Sequence, residues 1–153
     1  MVATQRPVDP AFDDLKVVDF TTAHAARREK LGGERPSITH KFSVAGHEGY
    51  LTIGMYDDGR PGEVFITMSK QGSTIRGLMD SIGTCISIGL QYGVPIGVFC
   101  NKLAYTRFEP SGFSRGHPAV KEASSVLDYV GRYLAHRFLD EAPPQPKRLD
   151  DEV

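Results

Sequence analysis

Lys70, Gly72, Ser73 and Thr74 stand in the run "GEVFITMSKQGSTIRGLMD", residues 62 to 80, where a β-branched and aromatic strand passes through a lysine and a glycine into a helix. Those are the parts of an anion cradle: free amides at a helix start, a glycine that lets backbone approach, and a cation beside them. A mononucleotide-binding loop needs a glycine, four residues and then Gly-Lys-Ser/Thr, so that the lysine follows the loop into the helix. Here the lysine precedes the glycine, and no nucleotide-binding βαβ unit surrounds it. What remains is a generic anion site made by the amides of Ser73 to Arg76 beside Lys70. Against it stands a helix start in which Ser73 or Thr74 caps itself by accepting a backbone bond, and this plainer account is preferred.

The second candidate is "RFEPSGF". Arg107, Glu109, Ser111 and Gly112 fall on a non-repetitive segment, the kind of place where a binding surface is carried. Its plainer reading is an Arg107–Glu109 ion pair holding the loop, which is preferred because such neighbours are common and weakly informative. Elsewhere the chemistry is thin. His40, His47 and His117 are dispersed without metal-ligand spacing, so each reads as a surface or turn histidine. "HEG" at 47 to 49 lacks the second histidine of a metalloprotease helix. Cys85 and Cys100, fifteen positions apart, form no CxxC pair and read as small hydrophobes. No catalytic residue and no metal ligand is assigned.

The elements that must position these candidates are bounded by composition. The chain has 153 residues, enough for one domain with a real core. Lys plus Arg total 18 against 19 for Asp plus Glu, a net charge of −1, so nothing in the balance attracts nucleic acid or an anionic membrane. No apolar run approaches the ~20 residues of a membrane span, and the start has no secretory pattern. A cytoplasmic location is expected, where a structural disulfide between the two cysteines is not needed.

Residues 1–36, with the charged run "HAARREKLGGERP", read as a mobile arm carrying one helical turn near Ala23 to Lys30, and 140–153 as a disordered proline-rich tail. Between them, 37–139 is the folded domain. Phe42 and Val44, then Tyr50, Leu51, Ile53 and Met55, alternate on either side of "AGHEG", which predicts a hairpin. "YDDGRPGE" is a second turn and "VFITM" a third strand.

Ile75, Leu78, Met79, Ile82, Ile86 and Leu90 form one helical stripe, with a stop at Gly93 before Val94 and Pro95. Gly77, Gly83 and Gly89 inside it each cost about 1 kcal/mol relative to alanine, which close approach to a sheet or another helix would recover. "IGVFC" is expected as a further strand or buried extended segment. A last helix opens at Pro118 and carries Val120, Ala123, Val126, Leu127, Val130 and Leu134 on one side. The expected class is α+β: a small antiparallel sheet of three to four strands covered on one face by two main helices.

The blocks "HKF", "GHEGYLTIG", "DGRPGEVFITMSKQGST", "LQYGVP" and "RFEPSGF", followed by "SSVLDYVGRYL", carry a resemblance. Together they resemble the C-terminal TSCPD domain of the adenosylcobalamin-dependent (class II) ribonucleotide reductases, from about Arg28 to Leu139. That family makes deoxyribonucleotides through a thiyl radical generated from adenosylcobalamin in a large barrel with a radical cysteine and a reducing cysteine pair. This chain has no room for the barrel and no cysteine-rich tail. The resemblance therefore implies a free-standing accessory or docking subunit of a ribonucleotide reductase, without radical catalysis of its own and binding no cofactor alone. Its implied partner is the reductase's catalytic chain; a homo-oligomer is also compatible. The rivals are a small-anion or nucleotide-binding regulatory module built on Lys70 and the 72–74 amides, and a structural protein with no reductase link.

Overall fold

A computed structural model describes residues 27–140 apart from Gln71, so the tail after Asp140 and most of the arm lie outside the described residues. Three strands, β1 (Ser37–Val44), β2 (His47–Met55) and β3 (Pro61–Met68), form the expected meander. The β1–β2 link is a two-residue turn, Ala45 and Gly46, both at positive φ (49° and 81°), which matches the twist of the strands it joins. The alternation puts Phe42, Val44, Leu51, Ile53, Val64, Ile66 and Met68 on one buried face, while Thr39, Lys41, Tyr50 and Phe65 point away from the core.

Helix α1 (Ser73–Gln91) follows. Its C-terminus is closed as expected: Gly93, at φ 88°, donates to Leu90 O at 3.0 Å and Val94 donates to Gly89 O at 3.0 Å, the double bond set that a left-handed glycine permits. Along β3 the helix takes the place of a sixth strand. Ser87 Oγ accepts from Val64 N at 2.9 Å while donating to Gly83 O at 2.7 Å, with Val64 O at 3.3 Å, and Gln91 Nε2 donates to Gly62 O at 3.0 Å. These satisfy edge groups that β2 cannot reach. The approach is close because residue 83 is glycine: a Cβ there would lie 2.7 Å from Val64 O. Gly89 makes room for the Phe99 ring in the same way, whereas Gly77 has nothing within 4 Å. Close approach thus accounts for two of the three glycines. Leu78, expected in the stripe, is 55% exposed.

Beyond α1 the expectations need correction. "IGVFC" is not a strand but the start of helix α2 (Ile96–Leu103); a short apolar run carries no period that separates the two, and α2 gains its partner from α3 (Val126–Phe138). There Gly131 lets the helices meet, since a Cβ at 131 would fall 2.8 Å from Ala104 N. The last helix does not open at Pro118. Ser125 caps it, its hydroxyl accepting from Asp128 N at 3.0 Å.

Ahead of that cap run β4 (Gly112–Arg115), a turn, and β5 (Glu122–Ala123). Val120 and Ala123 are buried as expected, at 0% and 4% exposure, but from a turn and a strand. The sheet therefore has five antiparallel strands in the order β3-β2-β1-β4-β5, and three helices rather than two accompany it. Of the turn expected near Ala23 to Lys30, residues 27–30 are not helical and the rest lies outside the described residues. Glu29 N bonds Gln91 O at 2.9 Å, and Arg28 Nε donates to Gln91 Oε1 at 2.7 Å.

Candidate functional site

An open cleft of about 1050 Å³ lies between the segment after α2, the β4–β5 hairpin and the start of α3. Its floor is organised by one carboxylate. Asp128 is 1% exposed, and its two oxygens accept from Tyr105 N at 2.6 Å and Ser124 N at 2.8 Å, with Arg132 Nη1 at 3.4 Å. Next to it Ser125 Oγ, besides capping the helix, donates to Thr106 O at 2.7 Å. These bonds tie the entry to the "RFEPSGF" loop to the start of α3. Arg132 in turn donates to Glu122 O at 2.8 Å and lies over the Tyr105 ring, so β5 is held to the same knot.

The candidates Arg107, Glu109, Ser111 and Gly112 all line this cleft. The expected Arg107–Glu109 ion pair is not among the ion pairs of the described residues. Glu109 instead accepts from Ser111 N at 3.0 Å and from Ser111 Oγ at 2.9 Å, because a carboxylate two residues before an amide closes a local turn with little ordering cost. Gly112, at φ 138°, needs to be glycine for β4 to begin there. Lys121, whose carbonyl accepts from Ser114 N of β4 at 2.8 Å, adds a second exposed cation to the lining. Phe108 and Phe113 remain 40% and 58% exposed. The site is thus an open groove of apolar rings and side chains of both signs, Arg107, Lys121 and Arg132 with Glu109, Glu122 and Asp128.

Lys70, Gly72, Ser73 and Thr74 do not line the cleft. Neither Ser73 nor Thr74 caps α1: the N-cap is Gly72, with no side-chain bond and no acidic residue in the first turn. Ser73 and Thr74 are the first two residues inside the helix. Sequence reasoning missed Asp128, Lys121 and Arg132. A signal for the first was present in "SVLD", a serine three residues before an acid ahead of an apolar run.

A second cluster joins histidines remote in sequence. His40 Nε2 meets Tyr129 Oη at 2.9 Å and its ring stacks on Tyr133 with centroids 4.0 Å apart. His117 meets the Tyr133 edge at 5.6 Å and His136 at 5.4 Å. His40 and His117 are therefore not simple surface residues. Burial, and then the neighbouring His117, lower the pKa of His40; burial, and then His136, lower that of His117. Burial raises both tyrosine hydroxyls. Among the described residues no three His, Cys, Asp or Glu side chains gather as a metal site.

The histidine shifts set a sign for pH dependence. The unfolded chain titrates near 6.5, whereas the folded one holds His40 and His117 neutral to lower pH. Their contribution is complete above 6.5 and is lost as pH falls from there through the folded values. Melting followed from about pH 8 to about pH 5 should fall on the acid side, with a shallower fall in His40→Gln/His117→Gln; an unchanged slope would remove the pair as its source.

The TSCPD domain family model matches residues 17–138. A vitamin B12-dependent ribonucleotide reductase of Rhodopirellula baltica is 49% identical over 144 residues, covering 88% of this chain and 14% of that protein. The protein of that name from Agrobacterium fabrum is 46% identical over 112 residues, 73% of this chain and 9% of its own length. That from Streptantibioticus cattleyicolor is 46% identical over 124 residues, 81% and 20%. The chain thus spans a fifth or less of the length of these relatives. No solved structure matches it.

Proposed function

The chain belongs to the TSCPD domain family, and on that premise we propose that it serves deoxyribonucleotide synthesis as an accessory or docking unit of a vitamin B12-dependent ribonucleotide reductase, without radical catalysis of its own. The observation that carries this is the match itself: high identity to a slice of a much longer reductase. The thiols fit the reading. Both cysteines are free, and burial pushes Cys100 up to about 11, which leaves little thiolate for exchange. The described residues do not fit a corrin cofactor. The cleft is an open groove between charged side chains, and the three clustered histidines are engaged with tyrosines and one another. The cleft, with Arg107, Glu109, Ser111 and Gly112, is the docking surface in this reading.

The second reading is a small-anion or nucleotide-binding module at Lys70 and the amides of 72–74, favoured by the uncapped start of α1. One set of measurements separates the two. The chain is titrated against the catalytic chain of a vitamin B12-dependent reductase from the same source, and separately against phosphate and dATP. Docking at the cleft predicts that Arg107→Glu weakens the protein complex at least tenfold, about 1.4 kcal/mol or more, while Lys70→Ala leaves it unchanged. Saturable dATP binding lost in Lys70→Ala, with no protein complex, would transfer the function to the helix start. Deoxyribonucleotide formed by the chain alone with adenosylcobalamin, dithiol and ribonucleotide would overturn the non-catalytic reading.

A further inference from the structure

The turn between β4 and β5 supplies part of the cleft wall, with Pro118, Ala119 and Lys121 in the lining. Its two ends are fixed. Arg115 is in register with Ser43 of β1, and at the other end Val120 is fully buried while Ser114 Oγ donates to Val120 O at 2.6 Å and Ser114 N to Lys121 O at 2.8 Å. Between those ends, residues 116–119 are held through two imidazoles. Ala119 N donates to His117 Nδ1 at 3.3 Å, and the His117 ring meets Tyr133 and His136 of α3. Gly116 lies directly on the His40–Tyr129 bond: a Cβ there would fall 2.6 Å from Tyr129 Oη and 3.1 Å from His40 Nε2. The His117 backbone bonds the same hydroxyl.

A backbone N–H only donates, so Nδ1 of His117 carries no proton while the Ala119 bond stands. A proton arriving at Nδ1 sets N–H against N–H and ends that bond. The new charge finds no counter-charge. The groups that face the two rings are Tyr129, Tyr133 and His136 of α3, with Arg137 beside Tyr133, and each ring faces the other from β1 and from the turn. Burial raises both tyrosine hydroxyls, so they stay uncharged, and among the described residues no carboxylate pairs with His40, His117 or His136.

We propose that residues 116–119 are a proton-released latch on the cleft: neutral His117 and His40 hold the turn against α3 and β1, and protonation of His117 at Nδ1 frees the wall that Pro118 and Ala119 form. Both imidazoles are lowered by burial from 6.5. The latched form is therefore favoured above 6.5, and the released form grows as pH falls from there through the folded values. Because Val120 and the Ser114 bonds anchor the far end, release is confined to the turn and leaves the sheet and α3 in place. In the docking reading, on which this consequence rests, a loosened wall must be ordered again when the partner binds, so docking weakens toward acid pH.

Backbone ¹⁵N relaxation of the chain alone tests the latch. The order parameters of Gly116, His117 and Ala119 should fall from about 0.85 to about 0.6 or less between about pH 8 and about pH 5, while those of Leu51 and Val64 hold. His117→Asn, whose amide oxygen can accept from Ala119 N and does not titrate, should keep the turn ordered at both ends of the range, and His117→Ala should loosen it at both. The affinity for the catalytic chain of a vitamin B12-dependent reductase from the same source should drop about threefold or more over that range in the wild type and stay level in His117→Asn. A turn equally ordered at both pH values, a turn that loosens equally in His117→Asn, or a loss of affinity that His117→Asn shares would overturn the inference. A turn that loosens as stated in a chain that binds no reductase at any pH would uphold the latch and remove the docking reading instead.

Discussion

Asp128→Ala should lower stability by about 3 to 5 kcal/mol, since two buried backbone donors lose their acceptor and Arg132 loses its counter-charge. The carboxylate is 1% exposed and accepts from Tyr105 N and Ser124 N at 2.6 and 2.8 Å. Asp128→Asn should cost roughly half as much, because the amide oxygen can keep one amide while its NH₂ faces the other. Ser125→Ala, which removes the cap of α3 and the bond to Thr106 O, should cost about 1 to 2 kcal/mol. Urea unfolding of the three variants gives the ranking. If Asp128→Ala fell within about 1 kcal/mol of wild type, the carboxylate would not be the organising group of the cleft. A protein that stays folded with residues 105–111 freed to exchange amide hydrogens would place its role in the loop alone.

Gly83→Ala and Gly77→Ala should move stability in opposite directions. At 83 the added methyl would sit 2.7 Å from Val64 O, and a backbone carbonyl within a strand cannot rotate aside as a side-chain end could. The helix must lift from β3, at a cost of about 1 to 3 kcal/mol after the gain of roughly 1 kcal/mol that alanine brings to a helix interior. At 77 the methyl meets nothing within 4 Å, so the propensity gain stands alone and stability should rise by up to about 1 kcal/mol. Thermal or urea denaturation measures both. A stabilised Gly83→Ala would mean that α1 does not lie on the β3 edge as described.

The meander was legible because a half-buried strand writes its two faces into alternate residues, and Phe42, Leu51, Ile53 and Val64 need only their neighbours to declare a face. The end of α1 was legible for the same reason: Gly93 closes its bonds onto Gly89 and Leu90 within one turn. Burial was readable even where the element was not. Val120 and Ala123 read as core from their apolar character, yet they reach it from a turn and a strand, because that character reports transfer out of water and not the backbone that performs it.

The candidate site divides in the same way. That "RFEPSGF" is a charged, glycine-bearing loop is a local property, and Arg107, Glu109, Ser111 and Gly112 could be singled out from it. Asp128 approaches Tyr105 across 23 positions and His40 reaches Tyr129 across 89; no local pattern specifies such meetings, since they follow from where α2 and α3 pack against each other and against β1.

The amino-acid sequence by itself determined the class of fold, the three-strand meander, the stop of α1 and the family blocks, because periodicity, turn chemistry and motif order act over a few residues at a time. Long-range packing settled that "IGVFC" is helical, that Ser73 and Thr74 leave the helix start uncapped, and that Glu109 turns to Ser111 rather than Arg107. Each of those outcomes depends on which partner arrives from a distant part of the chain, and the energy of that packing exceeds the small local preferences it overrides.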